Sequence, residues 1–169
     1  NRLREAGLEV ITGVLEDEVA QQNRTYIHRV RTGRPWGVLK WAMSLDGRIA
    51  LPNGISQWIS SIESRNWVHS LRAQCDAVVV GGGTLRADNP LLTSRGKRFP
   101  EPLRVVLTRS LDLPRNANLW DTSTAKTLIA YPSSSERSNS IKFPSGPEKL
   151  LLENSGPSTL MSALAERGC

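Results

Sequence analysis

Lys40 stands out first, because it places a charge inside the apolar run Val38-Leu39-Lys40-Trp41-Ala42-Met43. Lysine is rarely buried without a partner. One that points into a cleft can hold a phosphate, or donate a proton once desolvation lowers its pKa. The run ends in Ser44-Leu45-Asp46-Gly47-Arg48, which on its own is also an ordinary hairpin turn. A second block, Val80-Gly81-Gly82-Gly83-Thr84-Leu85-Arg86-Ala87-Asp88-Asn89-Pro90, sets glycines directly after an apolar strand. Bare backbone at such a place lets N–H groups approach a phosphate closely. The spacing is neither Gly-x-Gly-x-x-Gly nor a P-loop, and a triple-glycine turn is often purely structural. Thr84 and Asp88 face one side if a helical turn follows. The third block is Leu91-Leu92-Thr93-Ser94-Arg95 together with Arg72. Two converging arginines make a phosphate clamp, whereas each alone is an ordinary surface charge. Trp58, near Gly54 and Ser56, either belongs to the core or stacks on a flat ring.

Other polar residues carry less. His28 and His69 fall on predicted helices with no Cys or acid at metal spacing, so both are expected at the surface and no metal site is predicted. The two cysteines, Cys75 and Cys169, have no short Cys/His spacing, which fits neither a disulfide framework nor zinc and suits a reducing compartment. Cys75 reads as a small buried hydrophobe. Glu153-Asn154-Ser155-Gly156-Pro157 is a plain strand-to-helix turn.

The balance of 22 Lys+Arg against 16 Asp+Glu, net +6, implies an anionic partner. No dense basic tract or aromatic-rich RNA-binding signature appears, and singly spread arginines suit grips on a small phosphorylated ligand. No apolar run reaches the ~20 residues of a membrane span, and the first residues lack the apolar stretch of a signal peptide. With 38% hydrophobic and 22% charged residues, the composition is that of a globular chain.

The elements that must position these residues follow from periodicity. Leu8 to Val14 predicts a strand. Acidic Glu16-Asp17-Glu18 opens a helix whose face is Val19, Tyr26, Ile27 and Val30, ended by Gly33 and Pro35. Val38 to Met43 predicts the next strand. Ser60-Ser61-Ile62-Glu63 is a capping box for a helix with Trp67, Leu71 and Cys75 on one face and Arg65, His69 and Arg72 on the other. Ala77 to Val80 predicts a strand buried on both faces. Arg104 to Leu107, Thr127 to Ala130 and Leu150 to Leu152 supply three more strands, 133–147 an exposed loop, and Gly156-Pro157-Ser158 the start of a last helix. The alternation gives an α/β class with a mostly parallel central sheet flanked by helices.

In order and spacing, four blocks together resemble the reductase domain of the bifunctional riboflavin-biosynthesis deaminase/reductases. They are Lys40 to Ala50, Ser56-Gln57-Trp58-Ile59, Leu71-Arg72-Ala73, and Gly83-Thr84 through Asp88 to Thr93. The resemblance implies a dihydrofolate reductase-like fold and NADPH-dependent reduction of 5-amino-6-(5-phosphoribosylamino)uracil to its ribitylamino form. It implies Ala42, Trp58, Gly81, Gly83, Thr84 and Asp88 as cofactor contacts, and Ser56, Arg72, Leu92 and Arg95 as substrate contacts. Lys40 then stands beside the reacting ribose carbon as the catalytic residue. Residues 1–34 resemble the tail and linker of an upstream deaminase domain, and 35–169 the reductase domain. The family's Glu and glycine-rich nucleotide loop would follow the last helix, so this domain is expected to be incomplete at its C-terminus and weakly active alone. The zinc signature of a deaminase is absent from this stretch. The family further implies homodimers in the cytoplasm, or in plastids if the source is a plant. Another reductase of the same fold, a basic nucleic-acid-binding module and an inactive relative are the alternatives.

Overall fold

In the computed structural model, which describes residues 2–135 and 145–169, the chain falls into two compact units, Asn1–Gly37 and Val38–Cys169. The first unit is helical: α1 (Arg2–Glu5), α2 (Glu16–Gln22) and α3 (Arg24–Thr32). The expected strand over 8–14 is absent, since that stretch has no ladder partner and is almost wholly exposed. The single helix expected from Glu16 onward is interrupted at Asn23, whose backbone departs to φ −96, ψ 14 and whose side-chain amide donates to the Val19 carbonyl at 2.9 Å alongside its own N–H. Gly33, at φ 68, ends α3 with its N–H on the Arg29 carbonyl at 2.8 Å, the left-handed stop expected there. Trp36 packs edge-on against His28, ring centroids 5.3 Å apart.

The second unit is built on a four-stranded, all-parallel sheet in the order β1 (Ala77–Gly81), β2 (Leu103–Leu107), β3 (Thr127–Pro132), β4 (Glu148–Leu152). Around it lie α4 (Ile62–Ala73), α5 (Gly82–Asp88), a 3₁₀ turn (Asn118–Trp120) and α6 (Pro157–Glu166). The α/β class and parallel sheet expected from the alternating pattern are therefore present. Side chains alternate across the sheet. Val106 and Ile129 join Leu85, Leu92, Leu111 and Leu119 on one face; Val105, Leu128 and Ala130 join Leu152, Leu160 and Leu164 on the other. Each fully buried aliphatic side chain contributes about 1.5–3 kcal/mol. Gly82 starts α5 against β2: a Cβ there would stand 3.1 Å from Thr108 Oγ1, so the absent side chain permits this close approach.

Three expectations need correction. Residues 38–43 form no strand; they have no ladder partner, and Leu39 remains 83% exposed. β1 is not buried on both faces: Val79 stays 42% exposed and none of its residues is fully buried. Within 133–147, Ser133, Ser134, Ser145 and Gly146 are exposed but Ser135 is buried, its hydroxyl donating to the Arg109 carbonyl at 2.7 Å; residues 136–144 lie outside the described residues.

Arg104, the second residue of β2, is only 1% exposed. Its Nη2 donates to the carbonyls of Leu119 (3.3 Å), Asp121 (2.6 Å) and Ala125 (2.6 Å), and Thr127 Oγ1 adds a bond to Leu119 at 2.7 Å. Burial lowers its pKa, opposed by Asp121 and Glu101, and guanidinium stays charged throughout the ordinary range. Below β2, Glu101 accepts the backbone N–H groups of Ser94 (2.6 Å) and Gly96 (3.0 Å), closing the 94–101 loop. Burial alone would raise the Glu101 pKa, but these two donors, with the Ser94 hydroxyl and the Arg104 charge, together hold the carboxyl below its ordinary value.

Two consequences are measurable. Arg104→Met keeps the apolar stem but strands the Asp121 and Ala125 carbonyls and leaves Leu119 to Thr127 alone, so it should cost about 3 kcal/mol in denaturant unfolding; an unchanged midpoint would mean that the carbonyls find other partners. Glu101→Gln should lower the melting temperature at neutral pH. Because the folded pKa is depressed, the carboxylate's contribution is complete above its unfolded pKa of about 4.3 and fades as pH falls through the lower folded value. The gap between variant and parent should therefore close in acid, and a gap independent of pH would remove the charge from the account.

Candidate functional site

Ser61 N-caps α4, its hydroxyl accepting the Ser64 N–H at 3.2 Å. The cap is one residue later than the Ser60–Glu63 box expected from sequence. The buried face is also rotated from the expected one: Trp67 is 62% exposed, whereas His69 is 9% exposed and is the buried residue of the helix. The surface placement of His69 is thereby overturned, because packing against the 92–97 segment, not the local apolar pattern, decides which face turns inward. Arg72 follows one helical turn later and donates from Nη1 to the Thr93 carbonyl at 3.3 Å. Lys97 anchors to the same helix through the Asn66 carbonyl (3.3 Å) and Ser70 Oγ (2.8 Å).

The segment these contacts hold is a tight, left-handed one. Leu92 and Arg95 have φ of 56° and 58°, while Thr93 and Ser94 between them are buried. Non-glycine residues in that region each cost roughly 1–2 kcal/mol, so the surroundings must enforce the shape. Ser94 lends its N–H to Glu101 and its hydroxyl to the Arg98 N–H at 3.1 Å. Leu92 is 2% exposed and belongs to the core, whereas Arg95 is exposed. Burial, then the charge of Arg95, lowers the Arg72 pKa. Among the described residues neither guanidinium has a carboxylate partner in an ion pair. The structure thus brings two of the expected residues, Arg72 and Arg95, into one uncompensated cationic patch.

A second group sits where β1 runs into α5. Thr84 and Asp88 are both exposed on this helical turn. Gly81 and Gly83 are exposed as well, and a Cβ built on Gly81 meets nothing within 4 Å. Gly82, between them, serves packing. Asn89, at φ 40, ends α5 and leads directly to the Leu92–Arg95 segment.

Lys40 and Ala42 belong to a third group. With Met43, Ile59, Glu63 and Trp67 they line a cavity of about 770 Å³ beside the first turns of α4. Lys40 is exposed rather than held in a strand. The turn that follows is as expected: Ser44 N–H reaches the Arg48 carbonyl at 2.8 Å, and Gly47 has φ 78. Ser56 is half-buried, and Trp58 is 67% exposed with the Arg65 guanidinium 4.4 Å from its ring centroid. Trp58 is therefore not a core residue, and its stacking face is occupied by a cation. Among the described residues no cluster of His, Cys, Asp and Glu could hold a metal ion. Nor, among the described residues, is any helix long and apolar enough to cross a membrane.

Lys97 and Glu101 escaped the sequence reading, whereas Thr93 was in its third block and His69 was placed on one face with Arg72, at i, i+3, but expected at the surface.

Comparison with known proteins agrees with this arrangement. The family described as the RibD C-terminal domain matches residues 35–169. The riboflavin biosynthesis protein RibD of Synechocystis is 45% identical over 170 residues, covering 100% of this chain and 46% of that protein. The chloroplastic riboflavin biosynthesis protein PYRR of Arabidopsis thaliana is 47% identical over 137 residues, 75% of this chain and 23% of that protein. Among solved structures, a diaminohydroxyphosphoribosylaminopyrimidine deaminase/5-amino-6-(5-phosphoribosylamino)uracil reductase from Thermotoga maritima superposes with a TM-score of 0.86 at 35% identity, over 98% of this chain and 46% of that one. The chain thus spans about half the length of the bacterial RibD proteins it matches. Its fold is dihydrofolate reductase-like, as these neighbours are. Match length, identity and superposition converge on one conclusion: the chain belongs to the RibD C-terminal domain family.

Proposed function

We propose that this chain is the reductase part of a riboflavin-pathway enzyme, using NADPH to convert 5-amino-6-(5-phosphoribosylamino)uracil into its ribitylamino counterpart. The observation that carries the proposal is the Arg72–Arg95 patch, two guanidiniums drawn together without a carboxylate, in a chain of this family. Such a pair stabilises a dianionic phosphate through charge-assisted hydrogen bonds and is costly without one. The same patch accounts for part of the net charge of +6 without nucleic acid. Ser56 and Leu92 complete the proposed substrate contacts.

The residues after β1 suit a dinucleotide. Ligands of open parallel sheets bind beyond the carboxyl ends of the strands, where β1 presents the exposed backbone of Gly81 and Gly83. These glycines, with Thr84, Asp88, Ala42 and Trp58, would hold NADPH, which when bound supplies a hydride. For Trp58 this requires Arg65 to yield the indole face it now covers. Hydride delivery to the ribose carbon also calls for one proton on the opened sugar-amine. Lys40, with three donor hydrogens at the edge of the cavity it shares with Ala42, is placed to give that proton directly or through water. In the whole protein an upstream deaminase domain would supply the deaminated pyrimidine.

Two measurements on the full-length protein test this. NADPH at about 100 times its dissociation constant should stabilise it by about 2.7 kcal/mol, and NADH at equal concentration by clearly less; no stabilisation by either would count against a nicotinamide-dependent reductase. Lys40→Ala should reduce kcat by about 10²–10⁴-fold with the melting temperature retained, the range typical of a positioned general acid. Unchanged turnover would remove Lys40 from the mechanism.

A further inference from the structure

Glu101 is an acid at the base of a cationic turn, yet among the described residues it forms no ion pair with Arg72 or Arg95. It touches the backbone on both sides of Arg95 instead. Its Oε2 accepts the Ser94 N–H at 2.6 Å, and its Oε1 accepts the Gly96 N–H at 3.0 Å. Between those two donors stands Arg95, at φ 58°, and Gly96 follows at φ 78°. Neighbouring N–H groups in a left-handed stretch can converge on one side and form a concave anion seat. In this turn an internal carboxylate fills that seat.

A carboxylate near an arginine can do one of two things. Left free to turn, it takes the guanidinium itself, because bidentate Arg–carboxylate pairs are among the strong ones, and a phosphate must then compete for the arginine. With both oxygens engaged by backbone donors, Glu101 orders the main chain and leaves the Arg95 side chain exposed. A clamp is needed there, since a non-glycine residue released from the left-handed region leaves it. Other bonds fix the flanks: the Thr93 carbonyl accepts Arg72 Nη1, Ser94 Oγ accepts the Arg98 N–H, and Lys97 Nζ reaches Ser70 Oγ. Of these holds, that of Glu101 alone acts on both neighbours of Arg95.

We propose that Glu101 is a positioning residue of the phosphate site: by accepting the N–H groups on either side of Arg95, it fixes the turn from which that guanidinium meets the phosphate of a phosphorylated sugar, without drawing it into an ion pair. The proposal rests on the phosphate reading of Arg72 and Arg95. A glutamine at this position has a single acceptor oxygen, so one of the two N–H groups would face an amide N–H₂ and lose its partner.

The test is binding of ribose 5-phosphate and, separately, of NADPH to the full-length protein and its variants, with ribose as the uncharged control. Glu101→Gln should weaken ribose 5-phosphate about tenfold, equivalent to about 1.4 kcal/mol, and leave NADPH within about twofold. Unchanged affinity for ribose 5-phosphate overturns the inference, and so does an equal loss for both ligands, which is the mark of a merely structural role. A double-mutant cycle gives a sharper readout. With Arg95→Ala in place, Glu101→Gln should change ribose 5-phosphate affinity by less than about twofold; a further tenfold loss overturns the inference and leaves the phosphate reading intact. Arg95→Ala alone tests that reading. If the parent does not bind ribose 5-phosphate, or binds it as well without the Arg95 side chain, the phosphate reading fails and this inference with it. Should Glu101→Gln not fold, amide hydrogen exchange in the unaltered protein decides. Ser94 and Gly96 N–H groups protected alike with and without ribose 5-phosphate support the inference. Protection that appears only with the ligand, or is lost on its arrival, overturns it.

Discussion

A cation enclosed in a protein interior must find compensating charge or partial charge close by, and Arg104 finds it mainly in backbone dipoles. Three carbonyls of the 119–125 stretch converge on one nitrogen, while Asp121 and Glu101 contribute at longer range. The consequence is geometric. The connection between β2 and β3 cannot move away from the sheet without leaving a charge and three acceptors unsatisfied at once. The register of β2 with β3, Arg104 opposite Thr127, is set at the same spot, since Thr127 shares the Leu119 carbonyl.

That clamp reaches the candidate site through a short series of bonds. Arg104 holds Leu119; the neighbouring Asn118 takes Asn89 Oδ1 on its backbone N–H at 2.8 Å and donates its side-chain amide to the Asn89 carbonyl at 2.7 Å. Asn89 is the left-handed residue that ends α5 and begins the run to Leu92 and Arg95. Both ends of α5 are thus fixed, Gly82 by contact with Thr108 and Asn89 by the paired bonds to Asn118. The separation between the exposed glycines and the arginine turn is then set by one short helix that cannot slide.

What could be read from the sequence was whatever depends on local pattern. The runs at Ala77, Leu103, Thr127 and Leu150 became strands because each carries a run of apolar side chains, β-branched in the first three, to cover a sheet. The Asp46-Gly47 turn formed because only its own bonds are needed. Where burial depends on a distant partner, pattern alone misled. Val38 to Met43 has the same composition as the strands, yet a strand exists only with a neighbour to bond to, and the segment lies exposed without one. Trp67 and His69 exchanged their expected places for a related reason. Apolar content favours Trp67 inward, but α4 is tied to the 92–97 segment through Arg72 and Lys97, and that side of the helix, with His69 on it, is the one buried.

The pairing of arginines was legible as chemistry but not as geometry. Arg72 and Arg95 are 23 positions apart in the sequence, and nothing local says that they meet. They are brought together because Glu101 closes the loop beneath Arg95 while α4 presents Arg72 to the Thr93 carbonyl. Like charges held this way repel, so the folded chain carries a cost that a dianion, in the function proposed above, would relieve. The turn is ordered before any ligand arrives: its backbone is held at φ near 60°, and among the described residues its guanidiniums form no ion pair with an acid. The buried donors and acceptors around Ser94 are thus the source of the turn's rigidity, because they commit their bonds to Glu101 and Arg98 and leave the two arginines as the turn's outward charge.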